Sequence, residues 1–223
     1  QLGGGDLGDI AANISVVDSL TNVTYVAATD DTSLGANDDG LEARALLNAT
    51  TDAAVVGSGL SIAEKSAIED NISSVADGGI TSLTLYDTDT VSSITTLLTK
   101  ATDATIEAGD SSSSTNGNVH DSDSLGMSNA QLSAIAADVS NVADINSLTV
   151  TKDQTAAEIT SLLSVVADND ATVTLTGMTA AQITAVEGSI AKVGTLAGET
   201  TAAVLTQLDT ADTELLDASG VTK

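Results

Sequence analysis

Carboxylates in turns are the main chemical resource of this chain. Asp residues stand adjacent or one apart at Asp30 and Asp31, Asp38 and Asp39, Asp87 and Asp89, Asp121 and Asp123, and Asp168 and Asp170. Calcium is held where several carboxylate and carbonyl oxygens converge from loops of this kind, so these pairs are the candidate metal ligands. None falls in the EF-hand spacing or in the glycine-rich nonapeptide of calcium β-rolls. Asp is also a favoured turn residue and helix cap, so each pair has a structural reading to set beside the metal one.

Other chemistry is sparse. His120 is the only histidine and sits beside Asp121 in a Ser-rich stretch. A Ser–His–Asp triad needs three rigidly placed groups, which a loop of this composition does not offer. A lone histidine cannot build a zinc site of familiar spacing, and neither a Walker loop nor a dinucleotide fingerprint occurs. The expectation is a protein that is not an enzyme, without a cofactor, for which Ca2+ is the one metal its acids suit. Asn13, Asn22, Asn48 and Asn71 each head an Asn-x-Ser/Thr sequon, as chance would supply in a chain so rich in Ser and Thr.

Hydroxyls are the second resource. Ser82–Tyr86, Ser147–Thr151 and Thr172–Thr176 alternate apolar and hydroxyl side chains, the period of a strand with one buried and one wet face. On successive parallel strands Thr84, Thr149, Thr151, Thr172, Thr174 and Thr176 would form a lattice of hydroxyls and methyls, the kind of surface that ice-binding solenoids display. Plain β-propensity on a solvated face accounts for the same pattern.

These residues are carried by an internal repeat. Ser66-Ala67-Ile68 returns as Ser133-Ala134-Ile135, Val75-Ala76-Asp77 as Val142-Ala143-Asp144, and Ser82-Leu83-Thr84-Leu85 as Ser147-Leu148-Thr149-Val150. Ile94-Thr95 with Leu97-Leu98 returns as Ile159-Thr160 with Leu162-Leu163, and Ala104-Thr105-Ile106 as Ala171-Thr172-Val173. The spacing drifts by only about two residues, where turns are expected, and such self-similarity outranks local assignments.

Each copy reads as two helix-then-strand units. Leu132, Ile135, Ala136, Val139 and Val142 share one helical face, answered by Ile68, Ile72 and Val75. Ile159, Leu162, Leu163 and Val166 make the next, answered by Ile94, Leu97, Leu98 and Ala101. Ser61–Glu64, Ser128–Gln131, Thr155–Glu158 and Thr179–Gln182 fit the capping box, in which the hydroxyl and the Glu or Gln satisfy each other's free backbone N–H. Strands separated by one helix should be parallel neighbours. Sheets covered on both faces want nearly continuous apolar strands, so half-polar strands predict helices on one side only. The expected fold is an α/β solenoid of about eight helix-strand units, with a parallel sheet on one side and helices on the other.

In chain order, Gln1–Gly5 shows neither an initiator Met nor a signal peptide, which suggests a processed product or fragment. Weaker repeats occupy 6–58: Ile10, Ile14 and Val17 on a helix, Val23, Tyr25 and Ala27 on a strand, Leu41, Ala45 and Leu46 on a second helix, then a strand over Ala53–Val56. Clear copies span 60–109 and 127–177, separated by a loop insertion at 110–126. The pattern continues over 178–220 through Ile183, Val186, Ile190 and Val193. All of 1–223 is read as one elongated repeat domain.

Thirty-two acidic residues against six basic give a net charge of −26. Nucleic acid and anionic membrane surfaces are repelled by such a field, while cations and basic proteins are not. No apolar run approaches the roughly 18 residues of a membrane span. There is no Cys, Pro, Phe or Trp; a core of Ala, Val, Leu and Ile is thin and suits stacked repeats.

At Val139, Val142, Ile145, Leu148 and Val150 the spacing resembles a leucine-rich repeat, with Lys152 or Asp153 where that family places Asn. The texture of Thr-Ala-Ala helices and Asp-Ala-Thr-Val-Thr strands is similar to repeat tracts in very large secreted surface proteins of marine bacteria, cyanobacteria among them. That resemblance implies an extracellular or cell-surface structural or adhesive role and no catalytic residues. The first expectation is a structural protein that polymerises end to end into a filament, sheet or surface layer, with cations bridging its acidic turns. The rival is a binding module whose Thr-lined face holds a glycan, another surface or ice; a viral fibre or decoration protein on a virion surface is the third.

Overall fold

The computed structural model describes residues 20–21, 23–26, 39–108 and 126–198. Among them are six α-helices and short parallel strands. The strands are β1 (Leu20–Thr21), β2 (Thr24–Val26), β3 (Thr50–Thr51), β4 (Ala53–Val56), β5 (Val75–Thr81), β6 (Thr84–Tyr86), β7 (Ala104–Glu107), β8 (Val142–Asn146), β9 (Thr149–Val150), β10 (Ala171–Thr174) and β11 (Val193–Ala197). The helices are α1 (Asp39–Asn48), α2 (Ile62–Asp70), α3 (Val91–Leu98), α4 (Asn129–Ala137), α5 (Ala156–Leu163) and α6 (Ala180–Glu187).

The fold is α/β, and its pairing follows chain order. Three sheets form as β2-β4-β5, β6-β7-β8 and β9-β10-β11, beside the short pair β1-β3, and every pairing is parallel. Among the described residues one α-helix lies between each strand and its partner in these three sheets, the usual form of a parallel connection. Isolated bridges from Ile80 to Ala101 and from Ile145 to Val166 connect the two-stranded corners to the following unit. Among the described residues no sheet closes on itself.

The two clear copies have the same element order. From Ile62 to Glu107 it is helix, 3-10 turn, strand, strand, helix, strand, and from Asn129 to Thr174 it is repeated. Two unit types alternate: one has a 3-10 turn after its helix and a bent pair of strands, the other a helix and a single strand.

All four capping boxes form. At α2, Ser61 Oγ accepts from the Glu64 N–H at 3.2 Å and Glu64 Oε2 from the Ser61 N–H at 2.7 Å. A fifth helix start has no box: Thr90 Oγ1 accepts from the Ser93 N–H at 3.1 Å to begin α3.

Helix ends depart from the sequence reading. The face predicted through Leu132, Ile135, Ala136, Val139 and Val142 is not one helix. α4 ends at Ala137, Val139–Asn141 make a 3-10 turn, and Val142 opens β8. The same break occurs at Ile72–Ser74 before β5 and at Ile190–Lys192 before β11. Small polar residues sit at each break: Asn71, Asp138 and Ser189 leave the helical region at φ −120, −113 and −128. Such side chains compete for backbone groups, and Asn71 Nδ2 donates back to Ala67 O at 2.8 Å. Apolar spacing persists through the break because the first strand residue is buried and Ile72 and Ile190 of the 3-10 turns pack against the core.

Burial alternates along the single strands. Ala53 and Val55, Ala104 and Ile106, and Ala171 and Val173 are buried, while their neighbours are partly exposed. They meet Ile68, Ile94, Leu97, Leu98, Ile135, Ile159, Leu162 and Leu163 in one core. Each such aliphatic side chain contributes about 1.5–3 kcal/mol by leaving water. α1 is turned differently from expectation: Leu41 is 62% exposed, and Ala43, Leu46 and Leu47 are buried. No helix among the described residues is long and apolar enough to cross a membrane.

Candidate functional site

Asp30, Asp31, Asp38, His120, Asp121 and Asp123 lie outside the described residues, and Asp39 is placed only as the first residue of α1. Asp89, Asp168 and Asp170 are each engaged with a different partner. Asp168 pairs with Lys192 at 2.8 Å. Asp170 Oδ2 accepts from the Ser147 N–H at 2.9 Å, where the chain bends between β8 and β9. Ser147 has φ +57, a left-handed conformation costly for a residue with a Cβ, and the carboxylate of the next unit holds it there. Asp103 does the same for Ser82, which has φ +54, at 3.0 Å. Among the described residues no three metal-ligating side chains converge.

Asp89 is the most committed of these acids. Its Oδ2 accepts from the Tyr86 N–H at 2.9 Å and from Lys65 Nζ at 2.6 Å. The two side chains are 3% and 2% exposed. Burial lowers the Lys65 ammonium below its usual range, against the raising influence of Asp89. The Tyr86 ring lies 4.8 Å from Lys65 Nζ, and burial, then Glu107 and Asp89, push the phenol upward. The Asp87 and Asp89 carbonyls accept from Gln131 Nε2 at 2.8 and 2.6 Å.

Gln131 thereby joins two units. Its Oε1 accepts from the Ser128 N–H at 2.7 Å, closing the α4 capping box, while its amide clamps the turn before α3. Gln182 repeats the arrangement one copy later: Oε1 takes the Thr179 N–H at 2.7 Å, and Nε2 donates to Lys152 O at 2.8 Å and Gln154 O at 2.5 Å. Glutamine is needed because the position must accept on one side and donate on the other. The capping motif alone gave the first half of that role. The second links residues 42 and 44 apart for Gln131, a separation that no local pattern carries.

The Thr columns form over part of the predicted span. Thr84 pairs in register with Thr105, and Thr149, Thr172 and Thr195 make one rung across β9-β10-β11. Thr149 and Thr195 are exposed and Thr172 and Thr174 half-buried. Thr174 stands beside Ala197, and Thr151 and Thr176 fall beyond the strand ends. Thr151 Oγ1 donates to Gln154 Oε1 at 3.3 Å. Thr105 and Thr195 join the columns without having been expected there. On β6-β7-β8 the hydroxyl pattern gives way: Asp144 follows Thr105, and the next rung is Tyr86, Glu107 and Asn146, the last donating to Glu107 at 2.8 Å.

The described residues thus define an α/β chain of linked units with hydroxyl-bearing strand faces. No protein-family model, curated protein or solved structure matches the chain.

Proposed function

We propose that the chain is an α/β solenoid and a non-enzymatic, extracellular structural repeat protein. Its copies join end to end into a filament, sheet or surface layer, with Ca2+ or another cation bridging acidic turns. The observation that carries this reading is the recurrence of one unit-to-unit linkage: Gln131 and Gln182 clamp the preceding turn alike, and Asp103 and Asp170 hold the preceding corner alike. Units joined by repeated nearest-neighbour contacts have no internal reason to stop at a fixed number, and a heterologous contact propagates instead of closing. Net charge of −26 opposes association of copies, so a divalent cation is the natural bridge. The candidate bridging acids are Asp30, Asp31, Asp38, Asp39, Asp121 and Asp123. Electron microscopy of the purified chain at matched ionic strength, with millimolar calcium or with chelator, tests this. Ordered polymers lost in chelator are expected; uniform monomers in both conditions would overturn the reading.

A second reading rests on the Thr149–Thr172–Thr195 rung. Parallel strands about 4.8 Å apart present such hydroxyls at regular intervals, a surface suited to a glycan, another ordered surface or ice. Under it the chain is a stable monomer, and Thr172→Lys with Thr195→Lys abolishes ligand or surface binding while thermal unfolding stays unchanged.

A further inference from the structure

We draw no further inference here: the strongest candidate, the row of exposed aliphatic side chains Leu41, Ile62 and Val91 near the N-terminal ends of α1, α2 and α3, is an unpartnered apolar face, and nothing in the structure shows what covers it.

Discussion

The turn before α3 and the turn before α5 solve one problem with different chemistry. Each has a partly buried backbone N–H, of Tyr86 in the first copy and Thr151 in the second, that takes its acceptor from three residues on. In the first copy the acceptor is the Asp89 carboxylate, and the charge is met by Lys65. In the second it is the Gln154 amide, whose Nε2 then donates to Asn129 Oδ1 at 2.6 Å. Along the copies, Lys65 corresponds to Leu132, Asp89 to Gln154 and Ile62 to Asn129. Two neighbouring positions and a third 24 residues from Lys65 therefore differ as a set. The skeleton fixes the need for an acceptor, which an ion pair meets in one copy and an amide chain in the other.

The harshest way to break the comparison is to remove half of the ion pair. Asp89→Ala should cost about 3–5 kcal/mol in denaturant unfolding, because it leaves the Lys65 ammonium buried without its counter-charge. Gln154→Ala should cost less, about 1–3 kcal/mol, since it strands only neutral partners. A similar loss for the two would mean that the charge at Asp89 has no special standing.

Next in size is the clamp that both copies share. Gln131→Glu and Gln182→Glu keep the capping acceptor but replace the donor to two carbonyls with a carboxylate. Each should lose about 1–3 kcal/mol. Glu158→Gln, at the N3 position of α5, where the carboxylate closes the capping box and accepts from Ser133 of α4 but has no N–H to give a preceding turn's carbonyls, should change stability by less than about 1 kcal/mol. Equal effects at Gln131 and Glu158 would reduce the clamp to an ordinary cap.

The smallest effect sharpens the contrast through pH. Burial lowers the Lys65 ammonium in the folded chain, so between its folded value and 10.5 the unfolded chain holds the proton more readily. Stability from this group is therefore lower on the acid side of that window and rises as pH rises through it. The rising component, read from denaturation midpoints at stepped alkaline pH, should be lost when Lys65→Leu is combined with Asp89→Gln, leaving the fall that the raised Tyr86 phenol contributes above 10.0, while substitutions at Leu132 and Gln154 leave the rise in place.

Local features of the fold are readable in the sequence. Capping boxes at Ser61, Ser128, Thr155 and Thr179 need only a hydroxyl and a Glu or Gln at fixed spacing, and all four form. Parallel pairing followed from single helices lying between strands. Less was readable where two structures share a spacing: Val75, Val142 and Val193 continue a helical stripe yet begin strands, because the intervening 3-10 turn preserves their inward direction. Asp170 looked like half of a metal pair because a turn carboxylate that holds a Ser147 N–H has the same local sequence as one that holds an ion. Lys65 was legible in principle, as the one charge at a position occupied by Leu132 in the aligned copy, but its partner at Asp89 lies 24 residues away.

The most direct test of the claim that the two copies are one interchangeable unit is to write the second node into the first. In the triple variant Ile62→Asn, Lys65→Leu, Asp89→Gln, the buried ion pair is replaced by the residues that stand at the same positions of the second copy, Asn129, Leu132 and Gln154. Denaturant unfolding should place it at or above the parent protein, since a buried pair replaced by well-packed groups is often neutral or stabilising by about 1–4 kcal/mol, while Lys65→Leu and Asp89→Gln alone fall below it. A triple variant as unstable as the worse single substitution would contradict the account, because the two turns would then belong to different structures that only share a sequence pattern.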